Sequence, residues 1–140
     1  MRAPERGLRA ALVLLALSAA GVGLPATIAP HAFYDSWPLG RSWVGALPAY
    51  NEHLVGDVGG FYLAFAVLFA WAAIRPSRQL VVPLCVAWAV AAALHLVFHA
   101  THLDGLATGD AVAELAGLGF VLLLPVAALV ALRMPRHART

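Results

Sequence analysis

The sequence predicts an all-α integral membrane protein, a four-helix bundle with both termini in the cytoplasm. Three observations carry this. Of the 140 residues, 62% are hydrophobic and only 11% are charged, whereas a soluble domain is nearer half apolar and a quarter charged. Four apolar runs are each long enough to cross a hydrocarbon core of about 30 Å at 1.5 Å per residue. The arginines also divide unevenly between the ends of those runs. Arg2, Arg6, Arg9, Arg75, Arg78, Arg133, Arg136 and Arg139 fall on one side, and Arg41 alone on the other. Under the positive-inside rule the crowded side is cytoplasmic. The acids complement this, with Asp35, Glu52, Asp57, Asp104, Asp110 and Glu114 outside and only Glu5 inside.

The first span is expected over Leu8 to Ala29, after the basic start Arg2, Arg6 and Arg9, with Pro25 near its far end. A cleaved signal peptide ending at Thr27-Ile28-Ala29 is the competing reading. Pro30 is a poor residue to follow a cleavage site, so the retained span is preferred.

A connection over 30–54 follows. Pro30, Pro38, Gly40, Gly45 and Pro48 break it up. Phe33, Tyr34, Trp37, Trp43 and Tyr50 make it strongly aromatic. Trp and Tyr gather at the membrane–water boundary, and so many rings are costly to leave in water. The loop is expected to lie on the extracytoplasmic end as a lid, with a short interfacial helix.

The second span is expected over Val55 to Ile74. Gly56 and Gly60 form a small-xxx-small pair that admits a close helix, read as packing within the bundle. Arg75-Pro76-Ser77-Arg78 makes a basic turn. The third span is expected over Leu80 to Ala100, with Pro83 in its first turn, where proline is tolerated. Residues 101–110 form a polar turn, and Asp110 is the expected N-cap of a fourth span over Ala111 to Leu132. Short turns make spans two and three, and three and four, antiparallel neighbours. The basic tail 133–140 closes the chain. All of this fits one domain over residues 1–140.

Polar chemistry gathers at one end. His95, His99 and His102 stand at i, i+4 and i+7, within an arc of about 60° on a helix. His95 lies five residues before the end of its span, about 7–8 Å below the outer boundary. Asp57 and Glu114 come to a similar level from spans two and four. His53 is at i−4 from Asp57 and shares its face if that helix starts early. His53, Asp57, His95, His99 and Glu114 are therefore the candidate site, with Asn51, Glu52, His102, Asp104 and Arg41 as its rim.

Imidazole and carboxylate together suit Zn, Fe, Mn or Cu. His95 and His99 supply one side, and His53 or Asp57 completes the site. Glu114 serves as a ligand, as a partner orienting an imidazole, or as a base on bound water. The bland alternative is a hydrogen-bonded network, with His95–Asp57 and His99–Glu114 pairs pinning helices together. A b-type haem held by His53 with His95 or His99 is a further reading. Arg41 holds a lipid phosphate or a substrate carboxylate by its planar fork, or pairs with Asp35 or Glu52.

Other classes fare worse. The middles of all four spans are apolar, so no polar string crosses the bilayer as a transporter or channel needs. No G-x-S-x-G elbow, phosphate loop or dinucleotide fingerprint appears. Nine arginines, no lysine and a net charge of +2 are too few and too scattered for nucleic acid. Cys85 is the only cysteine and reads as a packing residue.

The run Phe33-Tyr34-Asp35-Ser36-Trp37-Pro38, then Trp43-Val44, then Ala49-Tyr50-Asn51-Glu52-His53 through Gly60 carries a resemblance. It resembles a group of small actinobacterial four-helix membrane proteins with no assigned activity. More broadly it is similar to DoxX-like four-helix membrane proteins. The closer resemblance covers Phe33 to His102. It implies the fold and a bacterial plasma membrane location, and it marks Asn51, Glu52, His53, Asp57, His95, His99 and His102 as one shared site. It implies no reaction. The leading expectation is a pocket that binds a metal or small polar ligand, with redox or hydrolytic chemistry open. The different-class expectation is a non-enzymatic accessory subunit packing against a larger membrane partner or a second copy.

Overall fold

A computed structural model describes residues 3–47 and 49–133. Arg2, Pro48, Arg136, Arg139 and the rest of the tail beyond Arg133 lie outside the described residues. Five helices follow in order: α1 (Ala3–Ile28), α2 (Pro30–Ser36), α3 (Glu52–Ile74), α4 (Arg78–Ala100) and α5 (Thr108–Arg133). α1, α3, α4 and α5 are long and apolar enough to cross a membrane.

Local chemistry explains the helix ends. α1 stops where Ala29 leaves the helical region, at φ −142° and ψ 66°, because the residue before a proline is pushed out of it. Pro30 then opens α2, the expected short helix of the lid, at a position that needs no N–H donor. α3 starts at Glu52, three residues before the expected Val55. Asn51 is extended, and its side-chain oxygen accepts the Leu54 N–H at 3.1 Å. α4 starts at Arg78 rather than Leu80, because Ser77 caps it through the Leu80 N–H at 3.3 Å. Pro83 consequently falls beyond the first turn. α5 starts at Thr108, where the Ala107 carbonyl accepts from Asp110 and Ala111. Asp110 therefore does not cap α5, contrary to the expectation from sequence. It sits inside the first turn, with its carboxylate engaged elsewhere.

The order around the bundle is α3–α1–α5–α4. α1 packs against both α3 and α5, and α4 packs against α5, but α3 and α4 make little contact along their backbones. The expected α3–α4 neighbour pair is thus corrected. Two observations explain the arrangement. Along α1, Leu8, Leu12, Leu15, Ala19 and Ala26 are buried, one helical face with small residues that let neighbours close in. Between α3 and α4 stands Trp88, whose ring centroid lies 5.6 Å from Tyr62, 5.2 Å from Phe65 and 5.3 Å from Phe69, each edge-on. These rings hold α3 and α4 apart.

The tight α1–α3 crossing uses Gly23 and Gly59. A Cβ on Gly23 would stand 2.9 Å from the Leu63 amide nitrogen, and one on Gly59 would stand 2.9 Å from that of Thr27. Gly56 and Gly60, expected to make this contact, have nothing within 4 Å of a Cβ. At the opposite end, the Arg9 guanidinium donates to the Ala73 carbonyl and, at 3.1 Å, to that of Ile74. It ties the start of α1 to the last carbonyls of α3.

The apolar core occupies the half of the bundle nearer Arg75. It is built from Leu8 through Ala19 of α1, Ala66 through Ala73 of α3, Val81 through Trp88 of α4, and Leu124 and Ala128 of α5. The other half carries the lid and the polar groups.

Candidate functional site

At the lid end, α4 and α5 meet through polar side chains. His99 Nδ1 lies 2.8 Å from Glu114 Oε1, and the two side chains are only 8% and 6% exposed. His99 donates from Nδ1 to this oxygen, leaving Nε2 as the second functional nitrogen. Glu114 Oε2 is buried without a partner among the described residues. The His95 ring stands edge-on to His99 with centroids 4.5 Å apart. The two histidines share a face because they are one turn apart.

The remaining predicted residues do not join them. His53 Nε2 is 3.3 Å from Asp57 Oδ2, a pair within one turn of α3 with side chains 87% and 55% exposed. The early start at Glu52 puts both on one helix face. Of the two pairs in the network reading, His99–Glu114 forms, and Asp57 pairs with His53 instead of His95. Asn51 caps α3, and Glu52 is its exposed first residue. His102 donates from Nδ1 to the Phe98 carbonyl at 2.8 Å, with its ring stacked on that of Phe98 at 4.1 Å. Asp104 is exposed in the turn. Among the described residues, no three His, Cys, Asp or Glu side chains come close enough to hold a metal ion.

Arg41 pairs with neither Asp35 nor Glu52. Its guanidinium binds Asp110 Oδ1, and the Trp43 indole N–H donates to the same oxygen at 3.0 Å. This is why Asp110 is unavailable as a cap. Asp35 pairs with His31 at 2.8 Å. Tyr34 donates to the Leu47 carbonyl at 3.1 Å and packs against Tyr50, which also meets His31. Burial, then the Glu52 and Asp35 carboxylates, holds the Tyr50 phenol above its ordinary range. The lid is thus clamped to the first turn of α5 by two donors on one carboxylate.

A groove of about 230 Å³ runs between α3 and α4. It was not foreseen from the sequence. α3 contributes Val58, Phe61, Tyr62 and Phe65; α4 contributes Trp88, Ala91, Ala92 and His95; Leu118 and Val121 of α5 form the floor. Aromatic rings on α3 face small alanines on α4, and this size mismatch is what leaves the space. The sequence signal was the spacing of Phe61, Tyr62 and Phe65 opposite the alanine run 91–93, visible only once α3 and α4 are known to flank a gap. The Trp88 indole nitrogen is buried without a partner among the described residues. His95 is exposed to this groove and makes no hydrogen bond among the described residues. Positions 114, 118 and 121 share one face of α5, so the His99–Glu114 pair stands one turn beyond the groove floor, at its lid end.

No family model matches this chain, and neither a curated protein nor a solved structure matches it.

Proposed function

We propose that this is a multi-pass protein of the bacterial plasma membrane, with both termini cytoplasmic, that binds a lipid-soluble molecule in the α3–α4 groove. The observation that carries this reading is His95. An imidazole about 7–8 Å below the boundary lines an aromatic groove with no hydrogen-bond partner among the described residues. Intramembrane ionisable groups face a partner or a cavity, and here the cavity is of ligand size. An occupant with an apolar body and one polar group satisfies both the rings and the imidazole. This reading keeps the expected ligand pocket and takes neither a resident metal nor haem. Among the described residues no three His, Cys, Asp or Glu side chains come close enough to hold a metal ion.

The test is extraction. Protein purified in native nanodiscs is compared with an Ala92→Phe variant, in which the new ring fills the groove, by mass spectrometry of the extracted lipophiles. A species enriched with wild type and lost with Ala92→Phe supports the reading. Identical extracts from both oppose it.

One observation favours a second reading, an accessory subunit. Gly56 and Gly60 leave an open strip on α3, the kind of surface another membrane helix approaches closely. Disulfide crosslinking of Gly60→Cys in the native membrane tests it. A crosslinked dimer band supports a second copy on that strip, and its absence opposes one.

A further inference from the structure

We infer that the groove takes a lipid-soluble cation, and that its entry expels one proton from the His99–Glu114 pair. The inference rests on the groove reading and adds the charge of the occupant. Three observations lead to it. The walls are unusually aromatic, with Phe61, Tyr62, Phe65 and Trp88 on two facing helices, and ring faces attract cations. Among the described residues the groove lining holds no charged side chain of its own. One turn beyond the floor, about 6 Å along α5, stands a carboxyl group that is only 5% exposed and has one oxygen without a partner.

Charge accounting supplies the proton. An isolated charge at this depth is expensive, so the His99–Glu114 pair rests as a neutral unit, neutral imidazole with carboxylic acid. A cation entering the groove adds one positive charge. Neutrality returns when Glu114 releases the proton on Oε2, the oxygen without a partner among the described residues, to the water at the lid end. The His99 Nδ1–H stays on Glu114 Oε1, and no other bond changes. The carboxylate then balances the bound cation.

The other titratable groups nearby do not supply this charge. On α4, His95 is the uncommitted ring of the groove and His102 is bound to the Phe98 carbonyl. On α5, Asp110 is neutralised by Arg41 of the lid. On α3, Asp57 is paired with His53 on an exposed flank, and Tyr62 lines the groove. α1 carries no titratable side chain between Ala10 and Ile28.

The test uses two probes of nearly equal shape, benzyltrimethylammonium and its neutral carbon isostere neopentylbenzene. Binding to the full chain in nanodiscs is measured by titration calorimetry near pH 7, in phosphate and in Tris, whose different ionisation heats count protons. The cation is expected to bind with release of about one proton, and to weaken by up to about tenfold per pH unit as protons compete. The isostere should bind with none. In Glu114→Gln the cation should weaken at least about tenfold while the isostere binds as before. His99→Gln keeps a donor for Glu114 and removes only the imidazole, so it should still bind the cation with release of about one proton, whereas Glu114→Gln should release none. If Glu114→Gln does not fold, the wild-type buffer comparison decides alone. Equal binding of both probes without proton release, or binding of the isostere only, overturns the inference and leaves the groove reading standing. Binding of neither probe overturns the groove reading and this inference with it.

Discussion

The two halves of this bundle are built on different principles. Toward Arg75, four helices close on one apolar core, with Leu12, Leu15, Phe69, Val81 and Cys85 fully buried. Toward the lid, the contacts are few and specialised. α1 meets α3 through Gly23 and Gly59, α4 meets α5 through His99 and Glu114, and α3 stands off from α4 across the groove. The first half supplies the packing that stabilises the bundle. The second is then free to keep a cavity and buried polar groups, which a half carrying the core contacts could not tolerate. Packing and cavity are thereby separated along the bundle axis.

Substitutions should respect this division. The largest loss of stability is expected for Phe69→Ala, about 3–5 kcal/mol, because it empties a fully buried site in the core half. Reversible unfolding in mixed micelles would check it, and a loss under 1 kcal/mol would erase the contrast between the halves. Glu114→Ala should cost about 3 kcal/mol by leaving His99 buried without its partner. Glu114→Gln should recover part of that, and equal losses for both would mean that hydrogen bonding contributes nothing there. Gly59→Ala should cost about 1–3 kcal/mol because its Cβ meets α1 backbone. Gly56→Ala and Gly60→Ala should each stay within about 0.5 kcal/mol. The same measurement on all three glycines would assign the close crossing. Asp110→Ala should loosen the lid without unfolding the bundle, because the pair it breaks is exposed. Its readout is faster protease cleavage in the 37–51 segment, with the spans intact. Unchanged cleavage would mean that the lid is held by its aromatic contacts alone.

Much of this architecture was legible in the sequence, because length and hydropathy mark spans whatever their neighbours are. The four long helices, the short lid helix and the His99–Glu114 pair all follow from spacing and composition. Helix adjacency does not. A membrane span is apolar on every side, so its periodicity cannot tell a lipid-facing face from a buried one. Short turns therefore suggest α3 beside α4, where Trp88 and the α3 rings instead hold the two helices apart. The same blindness placed the close crossing at Gly56 and Gly60 rather than at Gly59, one position away from Gly60 and on another face. The starts of α3 and α4 were misplaced because apolar runs were weighed above the capping residues Asn51 and Ser77. Asp110 was read as a cap because the reach of Arg41 and Trp43 across the lid leaves no local trace. Of the candidate site, His95, His99 and Glu114 gather where spacing put them, and His53 with Asp57 forms a separate exposed pair.

The central claim is that the lid half holds a ligand-sized groove beside Trp88. It is tested most directly by a variant with Trp37, Trp43 and Trp71 replaced by Phe, leaving Trp88 as the only indole. Its fluorescence is titrated with bromobenzene in nanodiscs, with and without Ala92→Phe. The account predicts quenching that saturates, and that loses its saturable part when Ala92→Phe fills the groove. Quenching that rises linearly with bromobenzene in both proteins would reflect partition into lipid alone, and would contradict it.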